Sequence, residues 1–392
     1  MRILSILFLL VLCLVMVKIV WSGANLTFDD ANYLFYAHQI LNGTFNYAES
    51  PFAYGYLLPY TVAISIHFLG GITSLASSIP AILEYIILIL IIYFTSFKMS
   101  NEKVALSVAV IAATSAFIVA YSSRVLPDLL AGDMVGLAVY LLIYEDELHA
   151  TRNMFAGFLT GLLVFVKFST LLIGIPIALV LFLQRKLYAW IYLVCALVII
   201  LFYLITINGN FSEFVSNDAY QIHLNTTNFY TNIETFLLFV IPFLIVTPNV
   251  VYWQIFPLGL LFDFAFIGGY IALLKKEWKF SKWFLVLIFS FLFMLFGSES
   301  LIRYVPITVV SRYFILLAVP MAILTTRFLL GVHDYLRFKY KPLTADVVLI
   351  CLVIIAVIVQ LPVLYFFHTF VPSYVGAPIQ HNLTIIGRPN MS

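Results

Sequence analysis

The sequence predicts an all-α polytopic membrane protein of about eleven transmembrane helices, with interfacial helices in its first outer loop. Three observations carry that prediction. The chain is 64% hydrophobic and only 10% charged, against about 25% charged residues in ordinary soluble domains. Its apolar runs repeat at lengths of 16 to 22 residues, enough to cross a hydrocarbon core about 30 Å thick. The runs are continuous, whereas a barrel would show short alternating segments. Length therefore counts spans, and residues 1–392 are expected to form a single integral membrane domain.

The elements follow in order. Arg2 precedes the run Ile3 to Trp21. That run is longer than a signal-peptide core, so it reads as a retained first span with a cytoplasmic N-terminus; Ser22-Gly23-Ala24 after it leaves cleavage open. Residues 22–78 form the first outer loop. Within it, Asp29 to Asn42 has helical spacing, with Tyr33, Ala37 and Ile40/Leu41 on one face and Gly43 as the stop. Pro51, Gly55 and several tyrosines mark an irregular turn over 46–55. Tyr56 to Leu69 is apolar but short and reads as an interfacial helix. Later spans are expected at about 79–97, 104–122, 129–144, 154–166, 168–184, 187–207, 253–274, 281–297, 312–330 and 346–366. Residues 208–250 form an outer loop with an interfacial segment at 233–248, and 367–392 an outer C-terminal tail. Cys13, Cys195 and Cys351 lie inside apolar runs, where cysteine behaves as a small hydrophobe.

Two independent signals fix the expected sides. Lys98, Lys103, Arg152, Arg185, Lys186, Lys275, Lys276, Lys279, Lys282, Arg337, Lys339 and Lys341 fall in the cytoplasmic connections, as the positive-inside rule requires. The six Asn-X-Ser/Thr sequons, at Asn25, Asn42, Asn210, Asn225, Asn382 and Asn390, all fall on the other side. They point to an archaeal plasma membrane or an ER-like membrane. The net charge of +2 and the scattered cations leave no basic patch for nucleic acid.

Arg124, Lys167, Arg303, Arg312 and Arg388 stand on the outer side, where cations are otherwise sparse. The outer acids are as informative. Thr27 with Asp30 three residues later fits a capping box, and acids favour a helix N-terminus. That accounts for Asp30 better than for Asp29. Asp29 is the candidate general base or metal ligand, with Asp30 beside it as a further catalytic candidate. In Arg124-Val125-Leu126-Pro127-Asp128, Pro127 and Asp128 suit a helix start. Alternatively Asp128 partners Asp29, and the two bind one divalent ion or divide the base and stabiliser roles. Asp133, one turn deeper, is an intramembrane acid and a secondary candidate. Lys167-Phe168-Ser169-Thr170 reads as a tight outer turn, and Lys167 as a snorkelling residue or a point charge for a lipid phosphate. Arg303 and Arg312 anchor to headgroups or fork onto phosphate. His38 and His67 are isolated and read as interfacial; His38, Tyr33 and Tyr313 are the candidates for meeting the sugar or acceptor.

No phosphate-cradling glycine-rich loop and no Gly-x-Ser-x-Gly occurs, so no nucleotide cofactor is expected. The ordered motifs resemble those of GT-C membrane glycosyltransferases. Asp29-Asp30 is similar to their Asp-Glu signature, followed by Tyr33-x-x-x-Ala37 and Leu41-x-Gly43. Arg124-Val-Leu-Pro-Asp128 resembles their second outer loop, Gly161-Leu-Leu-Val-Phe-Val-Lys167 their Gly-(x)n-Thr-Lys turn, and Ser311-Arg312-Tyr313-Phe314 the Arg-Tyr that opens a late span. Asp30 stands where Glu is usual, and Val166 where Thr is common. The protein O-mannosyltransferase and aminoarabinose-transferase branches are the most similar. The resemblance implies transfer of a sugar from a polyprenyl- or dolichyl-phosphate to an acceptor protein, lipid or glycan on the non-cytoplasmic side. It implies Asp29 as base, Asp128 as the residue positioning acceptor or metal, and Lys167, Arg303, Arg312 and Arg124 around the lipid phosphate. The expected partners are that donor, the acceptor and membrane lipids. The alternative from another class is a lipid-linked sugar flippase. Transporters place ionisable groups near the midplane between repeats; here they cluster at one rim, and no repeat is visible.

Overall fold

The computed structural model describes residues 2–21, 28–46, 55–143, 150–167, 170, 173–184, 186–206, 259–296, 311–362 and 364. Every regular element among them is helical. α1 is Arg2–Val20, α2 Phe28–Leu41, α3 Leu57–Phe68, α4 Ser74–Met99, α5 Glu102–Thr114, α6 Ala116–Val119 and α7 Asp128–Leu142. α8 is Ala150–Leu162, α9 Gly174–Gln184, α10 Lys186–Thr206, α11 Gly259–Leu274, α12 Trp278–Phe296, α13 Ala318–Lys339 and α14 Pro342–Pro362. Short 3-10 turns cover Leu163–Phe165 and Ser311–Leu317. The segment 233–248, the loop 208–232 and the tail 367–392 lie outside the described residues.

The chain is an all-α integral membrane protein. Among the described residues, five helices are long and apolar enough to cross a membrane by themselves: Arg2–Val20, Ser74–Met99, Lys186–Ile205, Tyr313–Lys339 and Pro342–Pro362. Their outward faces are greasy, with Leu7, Phe8, Leu197 and Ile358 each more than half exposed, as lipid contact requires. The buried faces close by small residues. A Cβ added at Gly161 would lie 2.7 Å from the Ala196 carbonyl oxygen, so α8 and α10 approach closely.

Local chemistry explains where helices begin and end. Thr73 caps α4 by accepting from Ala76 N–H at 3.1 Å, and Asn101 caps α5 by accepting from Val104 N–H at 3.1 Å. Gly43, at φ +67°, takes the left-handed turn that closes α2. Pro80 lies inside α4 and has no N–H for the Ala76 carbonyl; the Ser65 hydroxyl of α3 donates to it instead, at 2.7 Å.

One expected span is not continuous. The run 104–122 breaks at Ser115, after which only the four-residue α6 forms. The chain then runs irregularly to α7. Every residue from Ser115 to Pro127 is buried except the half-buried Ser123. Non-helical backbone at membrane depth must find partners inside the protein. Tyr85 Oη donates to the Ala113 carbonyl at 2.5 Å, and Gln360 Oε1 accepts from Ala116 N–H at 3.1 Å. Hydropathy sees an unbroken apolar run and misses the break, because its partners come from α4 and α14.

The bundle has a basic end. Ser5 Oγ donates to Glu102 at 2.8 Å, and Arg2 stacks on Phe97 at 4.4 Å, so α1 starts there. Lys103 pairs with Asp346 at 2.6 Å, and His333 Nε2 lies 3.3 Å from the same carboxylate. The Arg327 guanidinium bonds Glu277 through two nitrogens, one of them at 2.7 Å.

Candidate functional site

At the opposite end of α4, α5 and α7 lie the acidic stretches. α2 begins at Phe28, so Asp29 and Asp30 occupy its first turn. The Asp29 side chain, Thr27 and Arg303 are outside the described residues, as is the side chain of Arg312. Asp30 is fully buried, and its Oδ1 accepts from Val125 N–H at 2.7 Å. Thr27, the other half of the expected capping box, lies outside the described residues, and Asp30 also has a longer-range role. It joins α2 to the buried loop before α7, across 95 residues of sequence. A charge-assisted bond from a backbone N–H is among the stronger hydrogen bonds available to it.

Asp128 opens α7 and is 2% exposed. Its Oδ2 makes no hydrogen bond among the described residues. Arg124 is only 4% exposed, with its guanidinium 5.8 Å from the Tyr121 ring. Arginine, planar and weakly hydrated, tolerates such a site better than lysine.

The turn at Lys167 forms as its spacing predicts. Val166 N–H and Lys167 N–H both donate to the Leu163 carbonyl, and Thr170 donates back to the Lys167 carbonyl through N–H at 3.0 Å and Oγ at 2.5 Å. Lys167 is half-buried, with Nζ 4.7 Å from the centre of the Tyr313 ring. That cation–π contact joins two motifs far apart in sequence. The Ser311–Leu317 turn, which carries Arg312 and Tyr313, packs on α7. The contact is close, because a Cβ on Gly132 would lie 2.8 Å from Ile315 Cγ2.

The first loop docks on the same turn. An added Cβ at Gly55 would collide with the Phe165 and Val166 backbone, directly before Lys167. Around it Phe45, Tyr56, Phe165 and Tyr203 pack edge to face or tilted, at 5.7 Å for Phe45–Tyr56 and 4.7 Å for Phe165–Tyr203. Tyr33 is 2% exposed and faces the core with Ala37, as the helical spacing predicts. His38 is half-buried in the last turn of α2, its Nε2 3.0 Å from Asn42 Nδ2.

Sequence reasoning passed over Glu84. It lies in α4, is 5% exposed, and its Oε2 makes no hydrogen bond among the described residues. Asp133 stands close enough to interact with it electrostatically. The signal was available: an acid inside the apolar run 79–97 is expensive and calls for a reason. Among the described residues, no group of three or more His, Cys, Asp or Glu assembles as a metal centre.

No protein-family model and no curated protein matches the sequence. Solved structures do share its fold. The oligosaccharyltransferase of Archaeoglobus fulgidus in the apo form matches with a TM-score of 0.56, over 95% of this chain and 56% of its own, at 14% identity. ArnT from Cupriavidus metallidurans matches with a TM-score of 0.60, over 95% of this chain and 72% of its own, at 11% identity. Archaeal oligosaccharyltransferase AglB from A. fulgidus, in complex with an inhibitory peptide and a dolichol-phosphate, matches at 0.56, over 93% and 55%, at 14% identity. The chain therefore shares the fold of these structures. The chain spans about half the length of the oligosaccharyltransferase.

Proposed function

We propose that this protein is a glycosyltransferase that moves a sugar from a polyprenyl- or dolichyl-phosphate to an acceptor on the non-cytoplasmic side of the membrane. One observation carries the reading. The stretches bearing Asp29-Asp30, Arg124 to Asp128, Lys167 and Arg312-Tyr313 are linked by direct contacts, although they lie far apart in sequence. The shared fold supports it: AglB is known in complex with a dolichol-phosphate, and the A. fulgidus enzyme with a tethered acceptor peptide containing the NVT sequon.

In this reading Asp29 takes the proton of the acceptor hydroxyl as that oxygen attacks the anomeric carbon. The bond from that carbon to the lipid phosphate breaks, and configuration inverts. The leaving phosphate gains negative charge, which Lys167, Arg303, Arg312 and Arg124 neutralise. Preorganised charge aimed at a developing anion contributes heavily to such steps. Tyr33, His38 and Tyr313 border the sugar and acceptor.

A divalent ion fits the same residues. Asp128 Oδ2 is buried with no hydrogen bond among the described residues, and hard ions such as Mg²⁺ use one or two carboxylates plus substrate phosphate. Asp128 and Asp29 would hold it; bound there, it would offset phosphate charge. The A. fulgidus enzyme is known in complex with Zn and sulfate.

The test is discharge of labelled polyprenyl-phosphate sugars by purified protein in liposomes. Wild type should release the labelled sugar to an acceptor, and Asp29→Asn should not. Equal discharge by both would remove Asp29 as base, and lipid flipping without discharge would favour a transporter.

A further inference from the structure

The turn joining α13 to α14 handles charge differently from its neighbours at the basic end. Just before it, acids meet cations: Asp346 takes Lys103 Nζ at 2.6 Å and lies 3.3 Å from His333 Nε2, and Asp334 lies 3.5 Å from His333 Nδ1. Beyond them the chain reads Arg337-Phe338-Lys339-Tyr340-Lys341, cations alternating with aromatic rings. Every residue from Arg337 to Thr344 is exposed. No ion pair among the described residues uses Arg337, Lys339 or Lys341.

Lys339 is held by rings instead of by a carboxylate. Its Nζ lies 5.7 Å from the centre of the Tyr335 ring and 5.6 Å from that of Tyr340, and it donates to Tyr335 Oη at 3.3 Å. Neutral rings orient an ammonium without cancelling its charge, and its other protons stay open for an acceptor. Around it Phe338 is 94% exposed and Leu343 72%. Apolar side chains this open, interleaved with Lys and Arg, suit the boundary between headgroups and acyl chains, and tyrosine favours the same level.

The place of the turn agrees with its chemistry. α13 and α14 are both long and apolar enough to cross a membrane, so the turn between them meets one surface of the bilayer. The Lys103–Asp346 pair lies where α5 begins, and His333 stands at that level. From His333 to Lys339 the helix advances about 9 Å, at about 1.5 Å per residue. The headgroup layer outside the hydrocarbon is about 5–7 Å deep on each side, so the turn sits at headgroup depth. We propose that the α13–α14 turn is a binding surface for anionic lipid headgroups. Arg337, Lys339 and Lys341 meet the phosphate, and Phe338 and Leu343 seat in the adjoining acyl region. The inference is independent of the sugar-transfer reading.

The experiment places the full-length protein in phosphatidylcholine nanodiscs carrying a trace of photoreactive lipid. The probe is a phosphatidylglycerol or a phosphatidylcholine with the same reactive group near the glycerol, and crosslinks are mapped by mass spectrometry. The phosphatidylglycerol probe should label residues 335–343 at least tenfold more than the phosphatidylcholine probe, since each cation near an anionic surface contributes about fivefold. Sodium chloride at about 0.5 M should cut that preference by screening exposed charge. Replacing the three cations together, Arg337→Gln with Lys339→Gln and Lys341→Gln, should abolish it, and Lys339→Arg should keep it. Equal labelling by the two probes overturns the proposal and leaves an apolar anchor only. A preference indifferent to salt, or retained by the triple variant, overturns it as well. Loss of labelling to millimolar inorganic phosphate also overturns it, by making the turn a site for any phosphate. Loop cations also set how a hairpin inserts. If the triple variant does not insert, Lys339→Gln decides: a preference reduced about fivefold upholds the proposal, and an unchanged one overturns it.

Discussion

The two ends of the bundle treat charge in opposite ways. At the basic end cations meet acids. Lys103 pairs with Asp346, Arg327 with Glu277, and His333 with the Asp346 already engaged. The connections there are short: Ser100 and Asn101 join α4 to α5, and Lys275 to Glu277 join α11 to α12. At the acidic end carboxylates meet backbone. Asp30 accepts from Val125 N–H. Glu84, Asp128 and Asp133 each keep one oxygen without a hydrogen bond among the described residues. The joining segment, Ser115 to Pro127, is long, irregular and buried. Paired charges with short turns make a frame. Buried acids with acceptor valences left open are what a substrate or ion would complete in the proposed reading.

Substitutions at the two ends should therefore separate activity from stability. The largest effect is expected at Asp29→Asn and Asp128→Asn. Each should cut sugar discharge by about 10²- to 10⁴-fold, the range for removing a general base, while detergent thermal midpoints stay near wild type. A collapse of the midpoint instead would make these acids part of the frame. Lys167→Ala should come next, with a loss of about 10²- to 10³-fold in turnover, as when one stabilising donor is removed. Lys167→Arg should recover part of it, and an unchanged rate would take Lys167 out of the phosphate site.

Gly55→Ala tests the docking of the first loop. The new methyl meets backbone of Phe165 and Val166 that cannot rotate away, so overpacking should cost about 1–3 kcal/mol. Because Lys167 follows directly, activity should fall more than the midpoint does; equal activity would show that the loop and the turn are not coupled. At the basic end Glu277→Ala leaves the nearly buried Arg327 without its carboxylate. That should cost about 3 kcal/mol of stability, the low end for breaking a buried pair, with turnover by the folded fraction unchanged. The smallest effect is expected for Lys103→Ala. Its pair is largely exposed, and exposed pairs contribute little, so both readouts should match wild type.

Much of this was legible in the sequence. Residues 29–42, 56–69 and 79–97 were expected as helices and are observed as Phe28–Leu41, Leu57–Phe68 and Ser74–Met99. Gly43 ends α2, and the Lys167 turn closes through Thr170, as their types and spacing suggest. Asp30 was read as a cap because a capping box is a local pattern. Its bond to Val125, 95 residues away, is one that no local pattern reports. The burial of Arg124 was not legible either, because the loop that buries it folds inward through contacts with other helices.

By itself the sequence determined the class, the helices and the stretches that carry chemistry. Hydropathy period, helix caps and charge type are properties of neighbouring residues, and they act wherever the chain lies. Only the tertiary structure decided that the run 104–122 breaks at Ser115 and that Asp30 holds the loop before α7. Each of those follows from one demand. Buried polar groups must find partners, and inside a helix bundle the partner can come from another helix, as Gln360 does for Ala116 at a separation of 244 residues.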